Sequence, residues 1–276
     1  MASDGPGARA GGSAAANQRV FEGVAARYDD LALKPAERAV LGRFAGLWRN
    51  FEMLDLGVGS GRTGWTFAPL VHRYVGVDYA PPMVERARDL LGDDPNVTIE
   101  IGDARDLSAV EGTFDFVLFS FNGIDAVGHE DRLAILRAVR SKLKPTGHFL
   151  FSTHQLGALP LDRKRERDPR RLASPLYRAY AALDDFRHGR QADRVNAKLD
   201  LVAARDRGWV IIARGHGFSV EDHYVDPEFQ LGQLRECGLE ALTIFDTAGR
   251  EVELPFGGRD PWLDYLCRPL PDDGVV

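Results

Sequence analysis

The run Phe51-Glu52-Met53-Leu54-Asp55-Leu56-Gly57-Val58-Gly59-Ser60-Gly61-Arg62-Thr63-Gly64 passes from a short apolar stretch into a glycine turn, and helix-compatible sequence follows from Arg62 to Val71. Strand, glycine turn and helix in that order make a β–α unit. The unit then repeats. Tyr74 to Val77 reads as a strand ending at Asp78, and Pro81 to Leu91 as a helix with proline in its first turn. Val97 to Ile101 is a third strand ending at Gly102-Asp103, and Phe114 to Phe121 is a nearly continuous apolar run suited to a parallel strand covered on both faces. Arg132 to Leu143 reads as a helix stopped by Lys144-Pro145 and Gly147, and His148 to Thr153 as the fifth strand. Five such units predict an α/β fold with a doubly wound, mostly parallel sheet.

Working outward, Val20 to Trp48 has helical periodicity broken at Pro35, and Met1 to Asn17 is a small, polar stretch that reads as a disordered tail without a secretory signal. The alternation fails after His154. Residues 156–194 hold three prolines, the charge-dense run LDRKRERDPRR and the aromatics Tyr177, Tyr180 and Phe186, as expected of an inserted cap. Val195 to Val202 and Trp209 to Arg214 suggest a hairpin turning at Arg207-Gly208, while HGFSVEDHYVD (216–226) reads as a solvated loop. Pro227 to Cys237 is a helix with Asp226 as N-cap and Gly238 after its end; Leu239 to Phe245 and Leu263 to Cys267 complete a seven-stranded sheet. The expected organisation is a tail over 1–17, a ligand-binding core with N-terminal lid helices over 18–155, a cap over 156–226, and the rest of the core sheet over 227–276.

Composition narrows the function classes. The 276 residues carry a formal net charge of −6, with 44% hydrophobic and 28% charged residues, and no window approaches a membrane span. A cytoplasmic protein with no membrane partner is expected. The acidity argues against a nucleic-acid binder. Cys237 and Cys267, the only two cysteines, show no metal-ligand spacing and read as buried thiols, so no metal is expected.

Glycines between strand and helix let backbone amides approach a ligand. Gly59 to Gly64 also satisfies the GxGxxG pattern of dinucleotide enzymes, so a nicotinamide-dependent oxidoreductase stays open as an alternative. Asp55, two residues before the turn, suits a ligand's ammonium group and would repel a pyrophosphate. Asp78 at a strand end suits a ribose diol, and Asp103 an exocyclic amine.

Taken together, LDLGVGSGRTG (54–64), VGVDYAPPMVERAR (75–88), GDARDL (102–107) and FDFVLFSFNGID (114–125) resemble the motifs of the class I S-adenosylmethionine-dependent methyltransferases, over about residues 20–154. VFEGVAARYDDLA (20–32) is similar to the entry helix of small-molecule members. The resemblance implies a Rossmann-like methyltransferase fold, S-adenosylmethionine as cofactor and a small-molecule methyl acceptor. It implies that Tyr28 closes over the methionine end; that Asp55, Gly57, Gly59, Gly61 and Arg62 contact the aminoacyl part; and that Asp78 binds ribose. By the same likeness Tyr79 and Met83 flank the adenine, Asp103 and Ala104 read its edge, and Ser120 and Phe121 line the methyl-donor side. FNGID stands where many amide and nucleic-acid methylases carry an Asn/Asp-Pro-Pro-aromatic signature, which directs attention to other acceptors.

Transfer from a sulfonium to an amine or hydroxyl needs in-line positioning and removal of one proton. His154, at the end of the fifth strand in FSTHQ, is the candidate base. Gln155, Asn122 and Asp125 are expected to touch the acceptor, with Tyr177, His223 and Tyr224 closing over it from the cap. The expected activity is N- or O-methylation of a metabolite or natural product; a catalytically silent adenosyl-binding regulatory protein is the other alternative, and the oligomeric state, homodimer included, stays open.

Overall fold

The computed structural model describes residues 31–158, 174–179, 182–183, 207–214, 220–255, 257–258 and 260–271. Tyr28, the 1–17 tail, the basic run at 163–171 and the expected Val195–Val202 strand lie outside them. The described strands are β1 (Glu52–Leu56), β2 (Arg73–Asp78), β3 (Val97–Ile101), β4 (Phe114–Phe119), β5 (Leu143–Gln155), β6 (Trp209–Arg214), β7 (Val220–Val225), β8 (Leu239–Phe245), β9 (Glu251–Val252) and β10 (Trp262–Pro269). Helices are α1 (Pro35–Arg43), α2 (Gly64–Phe67), α3 (Pro81–Leu91), α4 (His129–Lys142) and α5 (Pro227–Glu236).

One sheet holds all ten strands in the order β3-β2-β1-β4-β5-β10-β8-β9, with the β6–β7 hairpin attached to the end of β5. The first five strands are mutually parallel, and β10 inserts antiparallel between β5 and β8. The order reverses between β1 and β4, so the crevice at their carboxyl ends is where an open α/β sheet takes its ligand. The glycine turn and the residues after β4 both open there.

Alternation along the strands builds two cores. Leu54, Leu56, Val117, Phe149, Phe151 and Tyr265 face α4 and α5, where they meet Leu133, Leu136 and Leu234. Met53, Phe116, Leu118, Leu150 and Leu266 face the other way, toward Val40 and Phe44 of the α1 side and Val84 and Ala87 of α3. Burial on both faces, worth roughly 1.5–3 kcal/mol per large side chain, fixes the register, because a one-residue slip would exchange the two sets. Asp226 caps α5, its Oδ1 accepting the N–H groups of Glu228 at 2.9 Å and Phe229 at 3.3 Å. Cys237 and Cys267 are free and buried, as read from the sequence.

Three expectations change. The seven strands become ten: β9 is an added two-residue edge, and β6 and β7 join the same sheet. Val220 to Val225, read as loop, is β7, pairing antiparallel with β6 and parallel with the end of β5 through His154–Tyr224 and Gln155–Val225. Its charged residues disguised a strand buried from His223 onward. Third, β5 begins at Leu143 and runs through Lys144-Pro145, because Phe114 of β4 pairs with Leu143 before the register shifts.

Candidate active site

The turn after β1 is built by glycines where other residues would not fit. Gly57 has φ of +60° and a Cβ there would lie 2.8 Å from the Phe119 ring; Gly61 has φ of +94° and sits against Leu90 and Ala87 of α3. Asp78, at the end of β2, ties the turn down: Oδ2 accepts the Gly59 N–H and Oδ1 the Ala80 N–H, each at 2.9 Å. It therefore braces both the glycine turn and the entry to α3, and burial raises its pKa against those backbone bonds.

Asp55 is placed differently from the expectation that it faces a ligand. It is 1% exposed, and its Oδ2 accepts the hydroxyls of Thr63 and, at 2.6 Å, Tyr74. Burial raises its pKa to about 6 against those two hydrogen bonds. Gly64 makes the arrangement possible, because a Cβ there would stand 2.8 Å from the Tyr74 hydroxyl. Asp55 thus supports the turn from beneath.

Arg62 links the turn to α1. Its guanidinium donates to both oxygens of Glu37, at 2.7 and 2.6 Å, and to Ser120 Oγ at 2.7 Å, while the Ser120 hydroxyl also donates to Glu37. Burial works to raise the Glu37 pKa, but the Arg62 guanidinium outweighs it and holds the carboxyl below its ordinary value. Asp264 on β10, buried and without a hydrogen bond among the described residues, feels both Glu37 and Arg62, and burial pushes its pKa well up.

The expected adenine end is less enclosed. Tyr79 is half-buried, Met83 buried, and Ala104 packs against the core. Asp103 is held by Arg105, whose Nε lies 3.0 Å from each carboxylate oxygen and whose Nη2 lies 2.6 Å from Oδ2. Arg105 reaches on to Asp131 at 2.9 Å, so the loop after β3 is bound to the start of α4.

Beyond β4 the chain makes a strained reversal. Phe121 and Asn122 have φ of +55° and +59°, the two non-glycine residues with positive φ among those described. Phe121 is exposed with Lys34 Nζ 4.8 Å from its ring centroid. The Asn122 N–H donates to Ser152 Oγ at 2.7 Å, and its side-chain Nδ2 lies 3.2 Å from His154 Nε2. On the other side of the ring, His154 Nδ1 lies 2.9 Å from Asp125 Oδ2, which also accepts the His154 backbone N–H at 2.6 Å. A carboxylate only accepts, so Nδ1 carries a proton toward Asp125. Tyr224 stacks on the ring at 4.8 Å between centroids.

Asp125 does not touch an acceptor. It is fully buried, and its other oxygen accepts from Arg132 and from Thr153 Oγ1 at 2.7 Å. Gln155 is turned away too, buried and donating to the Asp260 carbonyl at 2.8 Å. His223, expected at the substrate mouth, is closed off in a stack with Trp209 and His129, at 5.3 and 6.2 Å between centroids. Burial drives its pKa well down, so it is neutral. Tyr177 is half-buried in the short helical stretch after Ser174, whose hydroxyl accepts its N–H at 3.4 Å.

A family model described as a methyltransferase domain matches residues 53–147, spanning the glycine turn, Asp78, Asp103, the turn after β4 and α4. About a third of the chain thus matches a methyltransferase domain. The methyltransferase domain overlaps two curated relatives: the uncharacterized methyltransferase YcgJ of Bacillus subtilis, 32% identical over 106 residues (37% of this chain, 40% of that protein), and the cypemycin N-terminal methyltransferase of Streptomyces, 37% identical over 99 residues (34% and 38%). The match thus spans about two fifths of each curated relative. The fold extends further: the 1,6-didemethyltoxoflavin-N1-methyltransferase of Burkholderia thailandensis, solved with its substrate and S-adenosylhomocysteine, superposes with a TM-score of 0.58 at 16% identity, covering 97% of this chain and 93% of that one.

Glu37, Tyr74, Arg132 and Asp264 were not singled out from sequence. Glu37 had a signal, three residues into a helix that opens Lys34-Pro35, where its carboxylate accepts the Lys34 N–H at 2.7 Å. Nothing local marks Arg132, whose partners lie as far away as Gln233.

Proposed function

We propose that the protein transfers a methyl group from S-adenosylmethionine to a nitrogen or oxygen of a small-molecule metabolite or natural product. One observation carries the acceptor side: an imidazole at the carboxyl end of β5 whose Nδ1 is fixed on a buried carboxylate and whose Nε2 lies 3.2 Å from Asn122 Nδ2. The turn suits the cofactor, because Gly57, Gly59 and Gly61 adopt positive φ values that let the backbone bend tightly at the carboxyl end of β1, and Asp78 braces it from the neighbouring strand end. Gly57, Gly59, Gly61 and Arg62 would hold the aminoacyl part, Asp78 the ribose, Tyr79, Met83, Asp103 and Ala104 the adenine, and Ser120 and Phe121 the donor side.

When bound, S-adenosylmethionine supplies a methyl group already activated by its sulfonium. The protein's own task is to position the acceptor and take one proton. His154 Nε2 receives that proton, Asp125 stabilises the resulting imidazolium and prevents the ring from turning, and Asn122 orients the acceptor by exchanging its bond to Nε2 for one to the substrate. Asp125 acts through His154 and does not bind substrate. Tyr224, stacked on the His154 ring, would close the acceptor side.

The test couples calorimetry with product mass. Full-length protein should bind S-adenosylhomocysteine, lose that binding in Asp78→Ala and weaken in Asp103→Ala; unaltered binding in both would remove the cofactor assignment. Across a panel of amines, phenols and hydroxy compounds with S-adenosylmethionine, His154→Ala should lower turnover by about 10²–10⁴-fold with cofactor affinity kept.

A further inference from the structure

The group behind the His154–Asp125 pair is a wholly buried arginine. Arg132, 0% exposed, lies in the second turn of α4 and directs each of its nitrogens to a partner. Nη1 donates to Asp125 Oδ1 and, at 3.4 Å, to the Ile124 carbonyl; Nη2 donates to Thr153 Oγ1 at 2.9 Å and to Gln230 Oε1; Nε lies 3.4 Å from Gln233 Oε1. These partners come from the turn after β4, the end of β5 and α5. A buried guanidinium is costly to desolvate, and its retention with a nearly complete partner set calls for a reason.

We infer that Arg132 is a positioning residue that acts through Asp125 on His154: it fixes the carboxylate that fixes the imidazole, and it takes up part of that carboxylate's charge, leaving less of it to hold a second proton on the ring. Asp125 divides its oxygens between the guanidinium and the imidazole, Oδ1 toward Arg132 and Oδ2 toward His154. Without Arg132, the whole negative charge would stabilise the imidazolium, and the ring would be protonated at higher pH. The other described groups that bear on this pair add no competing charge. His223 on β7 is neutral and fully buried, Tyr265 on β10 has its pKa driven up by burial, His129 on α4 has its pKa lowered by burial, and Tyr224 stacks on the His154 ring. The inference rests on His154 as the base, but its own readout does not require turnover.

The experiment follows the His154 imidazole by NMR titration in the full-length protein, the resonance being assigned by its loss in His154→Gln. Arg132→Met should raise the His154 midpoint by about one pH unit. Arg132→Lys, which keeps the charge but cannot make the same set of bonds, should leave the midpoint near that of the wild type while lowering turnover. If Arg132→Met does not fold, Gln230→Glu, which draws the guanidinium from Asp125 without removing it, should raise the midpoint instead. An unmoved midpoint in folded Arg132→Met, or equal shifts in Met and Lys variants, would overturn the inference. For an acceptor that is turned over, the acid limb of kcat should move with the midpoint. A midpoint that moves while the limb stays would uphold the coupling and refute His154 as the base.

Discussion

Asp55 provides a quantitative check on the support beneath the glycine turn. Its carboxylate is 1% exposed and its pKa is raised from 3.8 to about 6, chiefly by burial and in spite of two hydroxyl donors. In the folded protein Asp55 keeps its proton until about pH 6, whereas the unfolded chain releases it near pH 4. Between those values the folded state binds more protons, so stability contributed at this site falls as pH rises. The difference between the two pKa values corresponds to about 3 kcal/mol, lost progressively from pH 4 to 6 and absent above it. Asp55→Asn removes the ionisation while keeping an oxygen for the Thr63 and Tyr74 hydroxyls. Relative to the wild type, the variant should therefore gain about 3 kcal/mol on going from pH 4 to pH 8, or roughly 6–12 °C in Tm. Denaturant unfolding of both proteins across that range measures the difference, in which other titrating groups cancel. A difference independent of pH would refute the reasoning, and a change of opposite sign would mean that Asp55 is ionised through a partner on the ligand side.

Gly57→Ala should destabilise by about 1–3 kcal/mol, since the residue has φ of +60° and its Cβ would meet the Phe119 ring; thermal unfolding with and without S-adenosylhomocysteine checks this and should show weaker protection by the ligand. Asp226→Ala, which removes the cap of α5, should cost about 1 kcal/mol by chemical denaturation while leaving the ligand affinity intact. Burial pushes the Cys237 thiol up to about 11 and that of Cys267 higher still, so neither should react with a disulfide exchange reagent at pH 8 until the protein is unfolded. Rapid labelling of the native protein would contradict that environment.

Elements with one clear period were legible to the residue. Pro81–Leu91, Val97–Ile101 and Leu239–Phe245 have the bounds read from the sequence, because proline, glycine or a change in hydropathy marks each end. Trp209–Arg214 was legible as a strand, but its described partner is Val220–Val225, whose Glu221, Asp222 and His223 look like loop residues and whose burial comes from packing on β6, β5 and the turn after β4. The site divides in the same way. Gly57, Gly59, Asp78 and His154 lie at strand ends, where topology alone points to a ligand. Glu37 with Arg62 and Arg132 with Asp125 are charges made tolerable inside the protein by each other; Glu37 and Arg62 are 25 residues apart, and Arg132 draws a second set of partners from α5 about 100 positions away. Sequence patterning tells buried from exposed by polarity, and paired buried charges defeat that test.

The insertion of β10 between β5 and β8 has a consequence for how the molecule is made. Trp262 pairs with His154 and Asp264 with Ser152, so the end of β5 that bears the proposed base is flanked by one of the last strands to be synthesised. The glycine turn and its parallel strands can assemble while the chain is still growing, but the His154 end stays open along one edge until β10 arrives. Competence to bind the cofactor should therefore precede competence to react during synthesis, and chains cut short before Trp262 should lose turnover before they lose affinity for the adenosyl ligand.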